Sequence, residues 1–257
     1  MKSIYEGLAL EKDASKRDFQ TWAVFGDLGV GKSTFISQFV KMYQSRTEAR
    51  KTPLKILILD PSDAGSYNQY DPVTLTELKY GRLNEETGKR EAWTKGIRVL
   101  RAANFTGSYD WAAVLNKHFK NGLLILDEAR DYIQNQGALP PEMKDLFTKH
   151  RNACIDLMVV SHNFNAMHRW IRMQISTFIV FPTNDYIENK KDFMKLEFPA
   201  RLWDVYLLIL RDKQIDQSRE KLKQMRRNSK MQRAYLLTRD GRIGVFDPNV
   251  ALKTKIK

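Results

Sequence analysis

An apolar run from Thr21 to Phe25 stops at a glycine-rich octapeptide, Gly26-Asp27-Leu28-Gly29-Val30-Gly31-Lys32-Ser33. After it, apolar residues recur at helical spacing, at Phe35, Ile36, Phe39, Val40 and Tyr43. This order predicts a buried strand, a tight loop and an amphipathic helix. The unpaired N–H groups and the dipole at a helix N-terminus favour a bound anion, so the loop is predicted to bind phosphate.

The residue types of the octapeptide fit a nucleotide. Glycines let the backbone wrap phosphates without Cβ clashes, Lys32 places a charge by the β and γ phosphates, and the Ser33 hydroxyl faces magnesium. ATP and Mg²⁺ are therefore the expected cofactors. A chance glycine turn is the alternative, and the complete pattern between strand and helix disfavours it. The predicted nucleotide contacts are Gly26, Asp27, Leu28, Gly29, Val30, Gly31, Lys32, Ser33 and Thr34.

Two acids follow another apolar run, Leu123 to Leu126. They are predicted to lie at the carboxyl end of a buried strand, where open α/β sheets bind ligands. Asp127 is predicted to hold magnesium, usually through water, and Glu128 to polarise the attacking water, so the pair indicates hydrolysis. In isolation, the same two acids also fit the solvated start of a helix.

Buried strands alternating with helical patterns predict an α/β fold with a mainly parallel central sheet flanked by helices. A basic C-terminal helix and a β-hairpin at Ala234–Thr238 and Ile243–Phe246 are expected to follow. We expect residues 1–20 to form a lead-in, 21–198 the core, and 199–257 an extension of the same domain. The polar stretch 64–91 is predicted to be a functional or subunit-facing loop region. The other predicted strands are Leu54–Leu59, Ile97–Leu100, Leu123–Leu126, Ile155–Val160 and Phe178–Phe181.

Arg151 ends the helix predicted to open at Pro140-Pro141. A guanidinium there is placed to reach a neighbouring subunit's nucleotide and to stabilise charge on the γ phosphoryl group in the transition state. Capping of the helix end by a cation is the alternative. Arg130, Arg169 and Arg172 are competing candidates for the role in trans.

The polar triplet Ser161-His162-Asn163 ends the predicted fourth strand. We interpret His162 as a sensor that hydrogen-bonds the terminal phosphate or the attacking water. An ordinary loop start is the alternative. Together with Lys32, Glu128 and Arg151, His162 completes the predicted catalytic set.

The chain carries 43 Lys and Arg residues against 30 Asp and Glu residues, a net charge of +13. Such a surplus predicts attraction to polyanions, although a solvated basic surface would carry the same charge, and only together with the phosphate-binding loop does it favour DNA as the partner. A solvated basic helix face is the alternative reading of the C-terminal segment. The candidate DNA contacts there are Arg219, Lys223, Arg226, Arg227, Lys230 and Arg233.

Export and membrane insertion are not expected from the sequence. The N-terminus has no signal-peptide core, and no apolar stretch is long enough for a bilayer. We expect a soluble protein that is not secreted. Cys154, the only cysteine, excludes an internal disulfide, and its apolar neighbours predict a buried thiol.

Several motifs together resemble the FtsK/HerA superfamily of DNA-pumping ATPases, and within it the genome-packaging ATPases of double-jelly-roll DNA viruses. The resemblance covers about Thr21 to Phe181. His162 stands where these motors more often carry glutamine. The motifs that carry the resemblance are Gly26 to Ser33, Leu123 to Glu128, Phe147 to Arg151, Asp156, Val159 to Asn163, and Ile171-Arg172.

The resemblance implies a P-loop NTPase fold of the RecA/FtsK-like ASCE type. It also implies ATP hydrolysis coupled to DNA translocation, in a homo-oligomeric ring, a pentamer or hexamer, that threads double-stranded DNA. Capsid vertex proteins are then expected partners, and the host cytoplasm or the virion is the expected location.

Three alternatives stay open. The zonula-occludens-toxin-like ATPases of filamentous phages are similar but use a transmembrane segment, and the apolar run Tyr206 to Leu210 is too short to be one. A conjugation-type DNA motor is the second alternative. A small-molecule P-loop kinase is the third, and Glu128 counts against it because a kinase must exclude water.

Overall fold

The computed structural model describes residues 19–48, 54–63, 65–105, 109–129, 133, 138–162, 167–183, 203–211, 234–238 and 243–246. The described residues divide into two compact units. The first unit comprises 22–39 and the described residues from 161 onward. The second comprises 19–21 and the described residues from 40 to 160. The domain boundaries expected from the sequence stay a prediction.

The strands and helices are numbered in chain order, and residues 203–211 are also helical. The strands are β1 (Thr21–Phe25), β2 (Lys55–Asp60), β3 (Asp71–Val73), β4 (Arg82–Leu83), β5 (Arg90–Glu91), β6 (Gly96–Arg101), β7 (Gly122–Leu126), β8 (Ile155–Ser161), β9 (Thr177–Val180), β10 (Ala234–Thr238) and β11 (Ile243–Phe246). The α-helices are α1 (Lys32–Glu48), α2 (Leu75–Tyr80), α3 (Asp110–His118), α4 (Pro141–Lys149) and α5 (Arg169–Gln174).

In the first unit, β1 pairs in parallel with β9, and β10 pairs antiparallel with both β9 and β11. The predicted hairpin is therefore confirmed, and it extends the strands beside β1. Aromatic contacts pack the first half of α1 onto this unit. The Phe39 ring lies 5.2 Å from that of Trp22, and the Phe35 ring lies 5.7 Å from that of Phe181.

In the second unit, the strand order is β8-β7-β2-β6-β3, and the pairs are parallel. β7 and β8 are buried along their whole length. Strands covered on both faces must be apolar throughout, which explains the uninterrupted runs in the sequence. The predicted α/β fold with a mainly parallel sheet is confirmed.

The stretch 64–91, predicted to be a loop, contains secondary structure, so that part of the prediction is wrong. It holds β3, α2 and the antiparallel pair of β4 and β5. A capping box starts α2, because the Glu77 N–H donates to Thr74 Oγ1 at 3.1 Å while the Thr74 N–H donates to Glu77 Oε2 at 2.8 Å. The strands of two or three residues are too short to show a hydrophobic period, and α2 buries none of its residues, so neither leaves a pattern in the sequence. The functional or subunit-facing role of the stretch stays a prediction.

The prediction that the Cys154 thiol is buried is also wrong, because the side chain is exposed. Cys154 lies in the turn before β8 with a φ of 57°, and side chains of such turns lie at the surface even where their sequence neighbours are apolar. In the described ranges, no helix combines the length and the apolar content needed to cross a membrane.

The carboxylate of Asp156, buried in β8, joins three segments of the second unit. Its Oδ2 accepts a hydrogen bond from Tyr43 Oη at 2.7 Å, and its Oδ1 accepts one from the Gln20 N–H at 2.9 Å. The Gln20 carbonyl in turn accepts from the Leu157 N–H at 2.9 Å. A buried charge is tolerated when hydrogen bonds replace its hydration, so Asp156 fixes α1 and the residue before β1 on β8.

Replacing Asp156 with alanine is expected to lower the free energy of unfolding by roughly 2–4 kcal/mol, because a buried hydroxyl and a partly buried N–H lose this acceptor. Equilibrium urea unfolding measures the change. Asp145→Ala is the matched control, since it removes an exposed carboxylate that pairs with Lys149 and is expected to cost about 0.5 kcal/mol. Equal losses in the two variants would contradict the role given to Asp156.

Candidate functional site

The glycine-rich loop connects β1 to the N-terminus of α1 in the first unit. Gly26, Gly29 and Gly31 have φ values of 154°, 77° and 100°. A Cβ on Gly26 would approach the Cβ of Phe181 to 2.5 Å, so this position has room for glycine alone. The Asp27 N–H donates to the Pro182 carbonyl at 3.0 Å and holds the loop at the end of β1. This backbone is a cradle of the kind that binds phosphate.

Lys32, the first residue of α1, points its buried side chain back over the loop. Its Nζ donates to the Gly26 carbonyl at 2.6 Å and the Asp27 carbonyl at 2.9 Å, and it lies 3.3 Å from His162 Nδ1. An ammonium group only donates, so Nδ1 accepts and the imidazole carries its proton on Nε2. The structure thus brings together two predicted site residues that are far apart in the sequence. Ser33 and Thr34 follow in the first turn of α1 and are half-buried.

The two predicted acids follow β7 in the second unit. Asp127 is buried, and its N–H donates to the Leu59 carbonyl at 3.1 Å, beside the end of β2. Its Oδ1 accepts from the Glu128 N–H at 3.0 Å and its Oδ2 from Tyr67 Oη at 2.6 Å. Glu128 has a φ of 47°, a left-handed conformation that is costly for a residue with a Cβ and is typical of functional sites.

Burial raises the pKa of Asp127 to about 6, an effect that the Tyr67 hydrogen bond opposes and the Glu128 and Asp60 carboxylates reinforce. The pKa of Tyr67 is raised well above its usual value, by burial first and by Asp127 second, so the phenol stays a neutral donor. A carboxylate close to other negative charges is suited to binding a hard divalent cation. Mg²⁺ usually takes one or two carboxylates plus substrate phosphates. Accordingly, within the described ranges no cluster of three or more His, Cys, Asp or Glu side chains forms a protein-only metal cage.

Sequence reasoning missed Tyr67 and the contacts that hold its loop. Asp60 is buried at the end of β2, and Arg101 Nη1 lies 2.7 Å from its Oδ2. The same guanidinium contacts Asp63 Oδ1 at 3.0 Å and Asn68 Oδ1 at 3.0 Å. The segment between Asp60 and Tyr70 has no motif spacing, so only the folded structure shows that it supports Asp127.

Arg151 is exposed in the turn after α4, and among the described residues its side chain donates no hydrogen bond and forms no ion pair. Of the competing arginines, Arg169 and Arg172 lie on α5, and burial lowers the pKa of Arg172. Arg130 and Asn163 lie outside the described residues. So do the predicted DNA contacts, Arg219, Lys223, Arg226, Arg227, Lys230 and Arg233.

The protein family described as zonular occludens toxin (Zot) matches residues 82–200 of this chain. The matched stretch contains β6 to β9 together with Asp127, Glu128, Arg151 and His162, and it leaves out the glycine-rich loop. It covers less than half of the chain. No curated protein matches the chain.

The solved structures with the same fold include packaging enzymes of Sulfolobus turreted icosahedral viruses. The genome packaging NTPase B204 from Sulfolobus turreted icosahedral virus 2 in complex with ATP-gammaS has a TM-score of 0.59 at 13% identity, covering 90% of this chain and 98% of that one. B204, the DNA-packaging ATPase from Sulfolobus turreted icosahedral virus, has a TM-score of 0.59 at 16% identity, covering 89% and 97%. The resemblance expected from the sequence and the P-loop NTPase fold are confirmed.

Gly26→Ala is expected to lower the free energy of unfolding more than Gly88→Ala does. Alanine at a positive φ costs about 1–2 kcal/mol, and the approach to Phe181 adds roughly 1–3 kcal/mol of overpacking. Gly88→Ala is the control, because Gly88 has a φ of 65° and nothing within 4 Å of the added Cβ. Thermal unfolding compares the two variants. If both lowered the midpoint equally, the contact with Phe181 would not be the constraint on Gly26.

Proposed function

We propose that this chain is an ATPase that translocates DNA, and that it packages a viral genome. The observation that carries the proposal is a phosphate-loop fold shared with the B204 packaging NTPases, combined here with a buried aspartate followed by a glutamate at the end of β7. The fold supplies the framework, and Lys32, Asp127 and Glu128 supply the chemistry in this chain.

The proposed mechanism assigns one task to each residue. The loop N–H groups from Gly26 to Ser33 and the Lys32 ammonium bind the ATP phosphates. Ser33 and Asp127 would hold Mg²⁺, and the ion would supply positive charge to the phosphates. Glu128 orients a water molecule and accepts its proton as the water oxygen attacks the γ phosphorus and the bond to ADP breaks. His162 offers its Nε2–H to the terminal phosphate or the attacking water.

Arg151 is the proposed residue in trans. Its exposure, and the absence of hydrogen bonds from its side chain to other described residues, favour a contact outside the subunit over capping of α4. A guanidinium that enters the neighbouring site stabilises the charge that grows on the γ phosphoryl group. We therefore propose a homo-oligomeric ring, a pentamer or hexamer, in which adjacent subunits complete each site.

Double-stranded DNA is the proposed substrate of the ring. The net charge of +13 supports it, because phosphate contacts from lysines and arginines give the sequence-independent binding that a translocating motor needs. We propose that the basic residues between 219 and 233 make these contacts. Capsid vertex proteins are the proposed partners, with the motor in the host cytoplasm or on the virion.

A Zot-like phage assembly ATPase is the second candidate, and the family match over residues 82–200 favours it. That match covers β7 and both acids, so ATP hydrolysis is common to the two candidates. A conjugation-type motor shares the same chemistry. A small-molecule kinase is disfavoured by Glu128, because a base that activates water defeats transfer to another acceptor.

Glu128→Gln is expected to lower the steady-state rate of ATP hydrolysis roughly 100-fold or more, because the amide orients water but accepts no proton. ATP binding, measured with a fluorescent analogue, should be retained. Glu86→Gln, at an exposed position between β4 and β5, is the control and should hydrolyse ATP at the normal rate. Turnover by Glu128→Gln at the control rate would remove Glu128 from the mechanism.

Duplex DNA is expected to stimulate the ATPase rate, and the stimulation should fall steeply between about 50 and 200 mM salt as counterions compete for the phosphates. Replacing the six candidate contacts between Arg219 and Arg233 with glutamine should lower the stimulation and its salt dependence, while the rate without DNA stays the same. If adding DNA left the ATPase rate unchanged at every salt concentration, the proposal of a DNA motor would be overturned.

A further inference from the structure

We propose that Tyr67 is a positioning residue that fixes the magnesium-binding carboxylate of Asp127 through its phenol hydroxyl. This inference rests on the proposed function, because it assigns the metal to Asp127. The Tyr67 side chain is fully buried, and its Oη donates to Asp127 Oδ2 at 2.6 Å. Hydrogen bonds to ionised acceptors are short and about twice as strong as neutral ones, so this contact holds the carboxylate in one orientation.

Both oxygens of Asp127 have a donor within the same unit. The Glu128 N–H binds Oδ1 and the Tyr67 hydroxyl binds Oδ2, which together fix the plane of the carboxylate. An ionised carboxylate has about four lone-pair sites, so each oxygen keeps one for a cation or its water. Without the phenol, the Glu128 N–H would be the one donor left to Asp127 among the described residues, and the carboxylate would be freer to rotate about its terminal bond.

The loop that carries Tyr67 is itself held in place. Arg101, at the end of β6, binds Asn68 Oδ1 at 3.0 Å and the buried Asp60 Oδ2 at 2.7 Å. The guanidinium thereby ties the residue next to Tyr67 to the end of β2. A donor on a fixed loop orients its acceptor better than a donor on a free one, which is the arrangement expected for support of a metal ligand.

A second tyrosine on this loop separates the hydroxyl contact from ring packing. Among the described residues, the buried Tyr70 hydroxyl has no hydrogen-bond partner. Tyr67→Phe and Tyr70→Phe each delete one buried phenol oxygen and leave the ring in place. Only the first deletion removes a bond to Asp127.

The test measures Mn²⁺ affinity of the full chain in the presence of ADP, from the electron paramagnetic resonance signal of free Mn²⁺. Loss of a supporting partner typically lowers metal affinity about 10–100-fold, and this is expected for Tyr67→Phe. Tyr70→Phe should bind Mn²⁺ as the unaltered protein does. ADP affinity in EDTA should be the same in all three proteins, which shows that the phosphate loop is folded.

Asp127→Asn is the arm that tests the proposed function itself, and it should lose Mn²⁺ binding. If Asp127→Asn loses Mn²⁺ while Tyr67→Phe keeps it, the role of Tyr67 is overturned and the metal site stands. If Asp127→Asn binds Mn²⁺ normally, both the site and the inference fail. Equal losses of Mn²⁺ affinity in Tyr67→Phe and Tyr70→Phe would show that loop packing causes the loss, and this would overturn the role given to the Tyr67 hydroxyl. Asn68→Ala loosens the loop without touching Asp127, and a loss smaller than that of Tyr67→Phe is expected.

Discussion

The contact between Gly26 and Phe181 is the constraint on which the phosphate loop depends. Because a Cβ on Gly26 would meet that of Phe181 at 2.5 Å, β1 must be followed by a glycine, and the chain can then turn at a positive φ. The Asp27 N–H closes the same junction by donating to the Pro182 carbonyl. The residues after β9 thereby fix where α1 begins, and with it the direction in which the N–H groups of the loop point. The shape of the loop therefore follows from packing between two parallel neighbours, β1 and β9.

Three buried aspartates show how similar chemistry serves different purposes. Asp156 accepts hydrogen bonds from a hydroxyl on α1 and from a backbone N–H just before β1, so it contributes to stability. Asp60 has a guanidinium partner that satisfies its charge locally. Asp127 has no cation within hydrogen-bonding distance among the described residues, only a phenol and an N–H, and its pKa is raised to about 6. A buried carboxylate that neutral donors orient is suited to receive a cation from outside.

The sequence predicted the elements that have long or regular hydrophobic patterns. We could predict the buried strands at Leu123–Leu126 and Ile155–Val160, the glycine loop and the hairpin around 234–246, because burial on both faces or strict alternation leaves a local signal. The elements within 64–91 were not readable, because strands of two or three residues have no period and α2 buries none of its residues. Tyr67 was unreadable for another reason. It lies 60 residues before Asp127, and its role arises only when the ends of β2 and β7 become neighbours.

The His162 side chain, which follows β8, offers one hydrogen-bond acceptor and one donor. Motors of the resembled family more often carry glutamine here, whose amide both accepts and donates hydrogen bonds. The Lys32 ammonium, 3.3 Å away, requires Nδ1 to accept, and this leaves the imidazole as a donor through Nε2–H. Histidine in this tautomer therefore presents the same acceptor and donor pair on a rigid ring.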